Sequence, residues 1–106
     1  MNSQLLPLFQ QHGAALRDLC QQFGVERLEL FGSGTGPDFN PASSDLDFIV
    51  RMRHSEQGGI ARRFCDFADS LEQLLGRRID LLTEAMIRNP HFKAEVDRSR
   101  EVVIEA

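Results

Sequence analysis

The chain has 106 residues, 42% hydrophobic and 26% charged, with two cysteines, eight phenylalanines, no tryptophan and no tyrosine. That is the size and balance of one globular domain, residues 1–106, large enough to bury a core without disulfides or a structural metal. A formal net charge of −4 and the lack of a densely basic stretch argue against a protein that grips nucleic acid by its phosphates, and no run is apolar enough for a membrane span or a signal peptide.

Residues 4–23 carry Leu5, Leu8, Phe9, Leu16, Leu19, Cys20 and Phe23 at three- and four-residue steps, which predicts an amphipathic helix. Ser3 is placed to cap it, Pro7 is tolerable only near its first turn, and Gly24 stands where a helix-ending glycine belongs. Residues 26–31 alternate polar and apolar and read as a strand. Gly32 to Ser44 reads as loop, punctuated by Gly, Pro and Asn. Residues 45–52 form the clearest strand, with Leu46, Phe48, Val50 and Met52 on one face and Asp45, Asp47 and Ile49 on the other.

A polar turn is expected over 53–59. A second amphipathic helix follows over 60–75, with Ile60, Phe64, Phe67, Leu71, Leu74 and Leu75 as its stripe and Gly76 at its end. Residues 77–82 read as a third strand, with a short turn of helix after Thr83. Asn89 and Pro90 make a helix start, cap then first helical position, and Phe92 and Val96 give that helix an apolar side. Residues 101–104 are a closing strand or a tail. The arginine pairs Arg62-Arg63, Arg77-Arg78 and Arg98 with Arg100 read as solvated surface. Cys20 and Cys65 both fall in apolar helical patterns and read as reduced, buried residues of a cytoplasmic protein. His12, His54 and His91 lack zinc-ligand spacing.

Asp45 and Asp47 share a strand face about 6–7 Å apart, and Asp80 lies on the next predicted strand. If those strands are neighbours, three carboxylates converge, and such a cluster repels itself unless a proton or a cation joins it. Mg²⁺ is held through a few carboxylates, with water and substrate phosphate completing its shell. Patterning alone leaves a second reading open, in which Asp45 caps a turn, Asp47 faces solvent and Asp80 is an edge-strand charge. Gly32 and Ser33 directly follow a strand, where glycine permits close backbone approach to a phosphate and serine adds a hydroxyl. A GxxxxGK[ST] loop is ruled out because no lysine follows, and a dinucleotide fingerprint because Pro37, Asn40 and Pro41 block a helix.

Strand, Gly-Ser, loop, Asp-x-Asp strand, helix and single-Asp strand together resemble the minimal nucleotidyltransferases of the polymerase-beta superfamily. The matching stretches are "LFGS" at 30–33, "FNPASSDLDFIV" at 39–50 and "RRIDLLT" at 77–83, with the tail at 89–106. The resemblance implies an α/β fold, a small mixed β-sheet with helices packed mainly on one face. It implies that Asp45 and Asp47 bind Mg²⁺, two ions in the active complex, and through it a nucleoside triphosphate. Asp80 would complete the metal site and help activate the attacking hydroxyl. Gly32 and Ser33, with Ser44 nearby, would hold the nucleotide. The family usually writes Gly-Ser-x-Ala-Arg-Gly, whereas Thr35, Gly36 and Pro37 stand here, so an arginine is missing.

With no further domain to hold an acceptor, a partner protein is expected. Stand-alone relatives pair with small helical HEPN-domain toxins, which they neutralise as antitoxins by transferring AMP from ATP to a tyrosine. The resemblance therefore implies a protein adenylyltransferase of a toxin–antitoxin pair, with no nucleic acid or membrane partner. The alternatives are a catalytically impaired module that neutralises by contact alone and a small-molecule nucleotidyltransferase. Leu82, Met86, Ile87 and Phe92, which follow the third strand, are either core or a docking patch for the helical partner.

Overall fold

The computed structural model describes residues 1–54 and 58–105, so the polar turn expected over 53–59 lies partly outside the described residues. The chain runs α1 (Leu6–Gln11), α2 (Gly13–Phe23), β1 (Val25–Phe31), a 3-10 turn (Gly32–Thr35), β2 (Leu46–Met52), α3 (Ile60–Leu75), β3 (Ile79–Leu82), a second 3-10 turn (Glu84–Met86), α4 (Pro90–Ser99) and β4 (Glu101–Glu105). The strands form one mixed sheet in the order β3-β2-β1-β4. β1 is antiparallel to both β2 and β4, while β2 and β3 are parallel. A parallel pair needs a crossover, and α3 provides it. This is the α/β mixed sheet expected from the sequence.

The apolar side chains explain the layering. Leu28, Leu30, Leu46, Phe48 and Val50 pack against Leu16, Cys20, Phe67, Leu71 and Leu75 of α2 and α3. Two edge-to-face ring pairs, Phe9–Phe48 at 6.2 Å and Phe23–Phe67 at 6.0 Å, close this layer. The opposite face buries a smaller set, Phe31, Ile49, Ile87 and Val96, beneath α4. Three helices thus cover one face and one helix the other.

Local details depart from the sequence reading. The helix expected over 4–23 is two helices, broken at His12 with φ −103° and ψ 11°, where Gly13 weakens helix continuity. Ser3 is not its cap: α1 begins after Leu5, and Asn2 Oδ1 accepts the Gln4 amide at 2.9 Å. Gly24 does end α2, at φ 69°. Asn89 caps α4 by accepting the amides of His91 and Phe92. Residues 101–105 are a strand, not a tail. Cys20 is buried but Cys65 is exposed, since two residues before Phe67 is the far side of a 3.6-residue turn. No helix among the described residues is long and apolar enough to cross a membrane.

The arginine pairs are not simply solvated. In each pair one member turns inward. Arg63 donates to the Phe23 and Arg53 carbonyls at 3.1 and 2.9 Å, while Arg62 is 88% exposed. Arg77 donates to the Pro41 and Ser44 carbonyls, while Arg78 is exposed. Arg100 grips buried Glu29 through two bonds of 2.7 and 3.0 Å and also pairs with Glu84 and Asp97. Arg27 Nε lies 3.1 Å from the same Glu29 carboxylate. Bidentate charge-assisted bonds of this kind are the strong ones, and they pin α4 to β1.

The Arg100 bond holds the Glu29 carboxyl below its ordinary value of 4.5. Glu29 therefore contributes its full stabilisation above pH 4.5, and that contribution is lost as pH falls through the lower folded value. Arg100→Met should cost about 3 kcal/mol at pH 7, the low end for unpairing a buried charge because Arg27 remains. Urea unfolding of parent and variant should show that gap at neutral pH and a narrower one in acid, where Glu29 is protonated.

Candidate active site

Strand pairing builds the site. Antiparallel β1 and β2 set Phe31 opposite Asp47, and parallel β2 and β3 set Asp47 opposite Asp80. Phe31, Asp47 and Asp80 therefore form a row across one end of the sheet, with neighbouring strands about 4.8 Å apart. Asp80 is exposed and Asp47 half-buried. Burial, then the Asp80 charge, a hydrogen bond with Asp80 and the Asp45 charge push the Asp47 carboxyl up to about 6.

Asp45 lies just before β2, its Oδ1 3.7 Å from Arg78 Nε in an exposed pair of little energetic weight. The structure thus joins Asp47 with Asp80 and sets Asp45 to the side with a cation partner. Among the described residues, no three His, Cys, Asp or Glu are already gathered to hold a metal ion. The donor chemistry nevertheless fits a hard divalent cation: the groups are all carboxylates, and their repulsion at Asp47 is what a cation relieves.

The Gly32–Thr35 turn abuts this row. Gly32 has φ +75°, and a Cβ there would lie 2.6 Å from Asp47 Oδ2, so glycine is required both by conformation and by the close carboxylate. Its carbonyl accepts the Thr35 hydroxyl at 2.7 Å, and its amide donates to Ser99 Oγ at 3.0 Å. Ser33 is half-buried, and its carbonyl accepts the Gly36 amide at 3.2 Å. Gly34 is wedged between Leu5 and Leu30, each 3.3 Å from where a Cβ would sit. Ser44 Oγ accepts the Asn40 amide at 3.0 Å and so closes the 40–44 turn. Arg77 holds that turn from β3's side, its guanidinium 5.0 Å over the buried Phe39 ring.

Two cavities flank the carboxylates. One, of about 450 Å³, is polar and open, lined by Pro41–Asp45 and by Gly76, Arg77 and Arg78. The other, of about 300 Å³, is lined by Phe31, Asp47, Asp80, Leu81, Leu82 and Phe92. The smaller one carries the carboxylate pair and an apolar wall, so it is the better place for a reacting group. The docking patch considered from the sequence divides. Ile87 is buried and Leu82 packs beside it, while Met86 and Phe92 are 50% and 37% exposed. The Phe92 ring lies edge-on to Phe31 at 6.0 Å.

Sequence reasoning did not single out Ser99, Arg77 or Phe31. Ser99 meets Gly32 across 67 residues of chain and carries no motif. Arg77 is one of two adjacent arginines, and only its packing over the Phe39 ring and its bonds to the 40–44 turn distinguish it.

A sequence model of the nucleotidyltransferase domain matches residues 14–103. A candidate protein adenylyltransferase from Methanocaldococcus jannaschii is 25% identical over 95 residues, spanning 90% of each chain. The solved structure of a candidate minimal nucleotidyltransferase superposes with a TM-score of 0.69 at 28% identity, covering 91% of this chain and 93% of its own. A tri-AMPylated Shewanella oneidensis HEPN toxin in complex with MNT antitoxin also matches, with a TM-score of 0.58 at 15% identity, covering 92% of this chain and 72% of its own. At that identity the likeness is one of fold.

The raised Asp47 pKa carries a stability signature. The folded protein holds this proton more tightly than the unfolded chain, whose ordinary value is 3.8. The contribution is full below 3.8 and is lost as pH rises through about 6. Without divalent metal, Asp47→Asn should therefore stabilise the protein by about 1–3 kcal/mol at pH 7 and by close to nothing at about pH 3, below the unfolded value. Thermal unfolding in a chelating buffer at the two pH values checks this.

Proposed function

Because the chain belongs to the nucleotidyltransferase domain family, we propose that it transfers AMP from ATP to a hydroxyl of a partner protein, as the antitoxin of a small helical HEPN-domain toxin in the cytoplasm. The observation that carries this reading is the in-register Asp47–Asp80 pair, opening into an apolar cleft and bordered by the Gly32 turn. The names of its relatives support the acceptor: one is a candidate protein adenylyltransferase, and another is an MNT antitoxin bound to an AMPylated HEPN toxin.

Asp45, Asp47 and Asp80 would hold Mg²⁺, which when bound neutralises these carboxylates and carries the charge of the triphosphate. Gly32 and Ser33, on the turn against Asp47, would meet the phosphates, and Ser44, which lines the wider cavity, would stand nearby. Phe31, Leu81, Leu82 and Phe92 exclude water around an entering side chain and favour an aromatic one such as tyrosine. Asp80, which is exposed and lines the same cleft, would take the hydroxyl proton. The oxygen attacks the α-phosphorus, the bond to the bridging oxygen breaks, and pyrophosphate leaves. Alignment of the reactants is the main contribution of the protein.

The missing arginine corresponds to Gly36. Its backbone is extended, with φ −137°, and a Cβ there meets nothing within 4 Å, so a side chain fits without strain. Gly36→Arg should leave the unfolding midpoint unchanged and tighten Mg²⁺-ATP binding by about tenfold, the weight of one charge-assisted hydrogen bond. Isothermal titration checks it.

The decisive assay combines the protein with Mg²⁺, ATP labelled on the α-phosphate, and either the helical protein encoded beside it or bulk RNA and DNA. Label should appear on the neighbour and vanish in Asp47→Asn. Label on nucleic acid with the neighbour unmodified would refute the proposal. Neutralisation of the neighbour without label would favour a contact-only antitoxin, the reading to which the missing arginine gives weight.

A further inference from the structure

We infer that Ser99 is a positioning residue, which holds the Gly32–Ser33 turn in its nucleotide-accepting form by accepting the Gly32 amide. The inference rests on the proposed nucleotidyl transfer and adds a residue to it.

Gly32 sits in a left-handed conformation against the Asp47 carboxylate. A turn this close to an anion needs something to hold it there. The Gly32 carbonyl is satisfied within the turn by the Thr35 hydroxyl, but the amide reaches outside it to Ser99 Oγ at 3.0 Å. The Ser99 hydroxyl lies 3.3 Å from the Glu95 and Val96 carbonyls, so its proton points back into α4 and its oxygen lone pairs face Gly32. The hydroxyl is thus oriented as an acceptor toward the turn.

The support behind it is rigid. Val96 is buried in the smaller core beside Phe31. Arg100, next in sequence, is locked to Glu29. Ser99 is therefore fixed from both sides, and it transmits that fixity to Gly32. The same helix contributes Phe92 to the apolar cleft, so one element borders both the turn and the acceptor space. The Gly32 amide is occupied by Ser99, which leaves later amides of the turn and Ser33 Oγ to meet phosphate.

Three variants test this: Ser99→Ala, which removes the acceptor, Ser99→Thr, which keeps it, and Arg98→Ala, a control at an exposed side chain of the same helix. The readouts are hydrogen exchange at the Gly32 amide, Mg²⁺-AMP-PNP affinity and the unfolding midpoint. In Ser99→Ala the Gly32 amide should exchange about tenfold faster and affinity should fall about five- to tenfold, the weight of one hydrogen bond. Ser99→Thr should restore both, and Arg98→Ala should change neither. A general loss of stability would move exchange across the whole sheet and not at Gly32 selectively. Parent-like exchange or affinity in Ser99→Ala overturns the inference alone. Tighter binding in Ser99→Ala also overturns it, because the hydroxyl would then be competing with phosphate for the amide. A parent protein that binds no AMP-PNP overturns the functional reading and this inference with it.

Discussion

Parallel pairing of β2 with β3 puts Asp47 beside Asp80, and two carboxylates at neighbouring strand positions resist ionising together. Much of the surrounding structure can be understood from that constraint. One carboxylate, Asp80, stays exposed, while the other is half-buried and holds its proton up to about pH 6. Asp45 stands off toward Arg78. The strain is local, and it is stored at the end of the sheet where an apolar cleft and a glycine turn meet. Functional sites characteristically carry such local conflicts, which the rest of the fold must outweigh.

The compensation is visible in the arginines. Three of them act as clamps, each tying together segments far apart in the chain. Arg63 fastens the end of α2 to the end of β2. Arg77 fastens the 40–44 turn, which leads into Asp45. Arg100 fastens α4 to the buried Glu29 of β1. A guanidinium suits this work because its planar fork can satisfy several acceptors at once. Two of these segments, the 40–44 turn and α4, border the carboxylate row, whereas the Arg63 clamp closes the opposite end of the sheet, where Val25 pairs with Met52.

α4 links the two halves of the site. Among the described residues it is the one α-helix on its face of the sheet, beside Ile87; it brings Phe92 to the cleft and Ser99 to the Gly32 amide, and continues directly into β4, one of the two outer strands. A protein docking on exposed Met86 and Phe92 would therefore touch an element that also contacts the glycine turn. That arrangement suits the proposed transfer from a nucleotide to a protein acceptor.

The sequence by itself determined the elements and the family. Period-two and period-3.6 patterning located β2 and α3 with little error, because Leu46, Phe48 and Val50 of β2 and Phe67, Leu71 and Leu75 of α3 are buried in one core, although Ile60 at the start of the α3 stripe is exposed. Gly24, Gly76 and the Asn89-Pro90 start marked helix ends because their constraints are local. Asp45, Asp47, Asp80, Gly32 and Ser33 stood out because short-range motifs carry them. Only the tertiary structure decided the rest. It showed that Asp80 stands in register with Asp47 while Asp45 faces Arg78, which depends on strand order. It turned one arginine of each pair inward and buried Phe39 from within a loop. It also joined Ser99 to Gly32. These outcomes are set by contacts between residues far apart in the chain, and hydrogen bonds of that range leave no periodic trace in the sequence, whereas hydrophobic burial does.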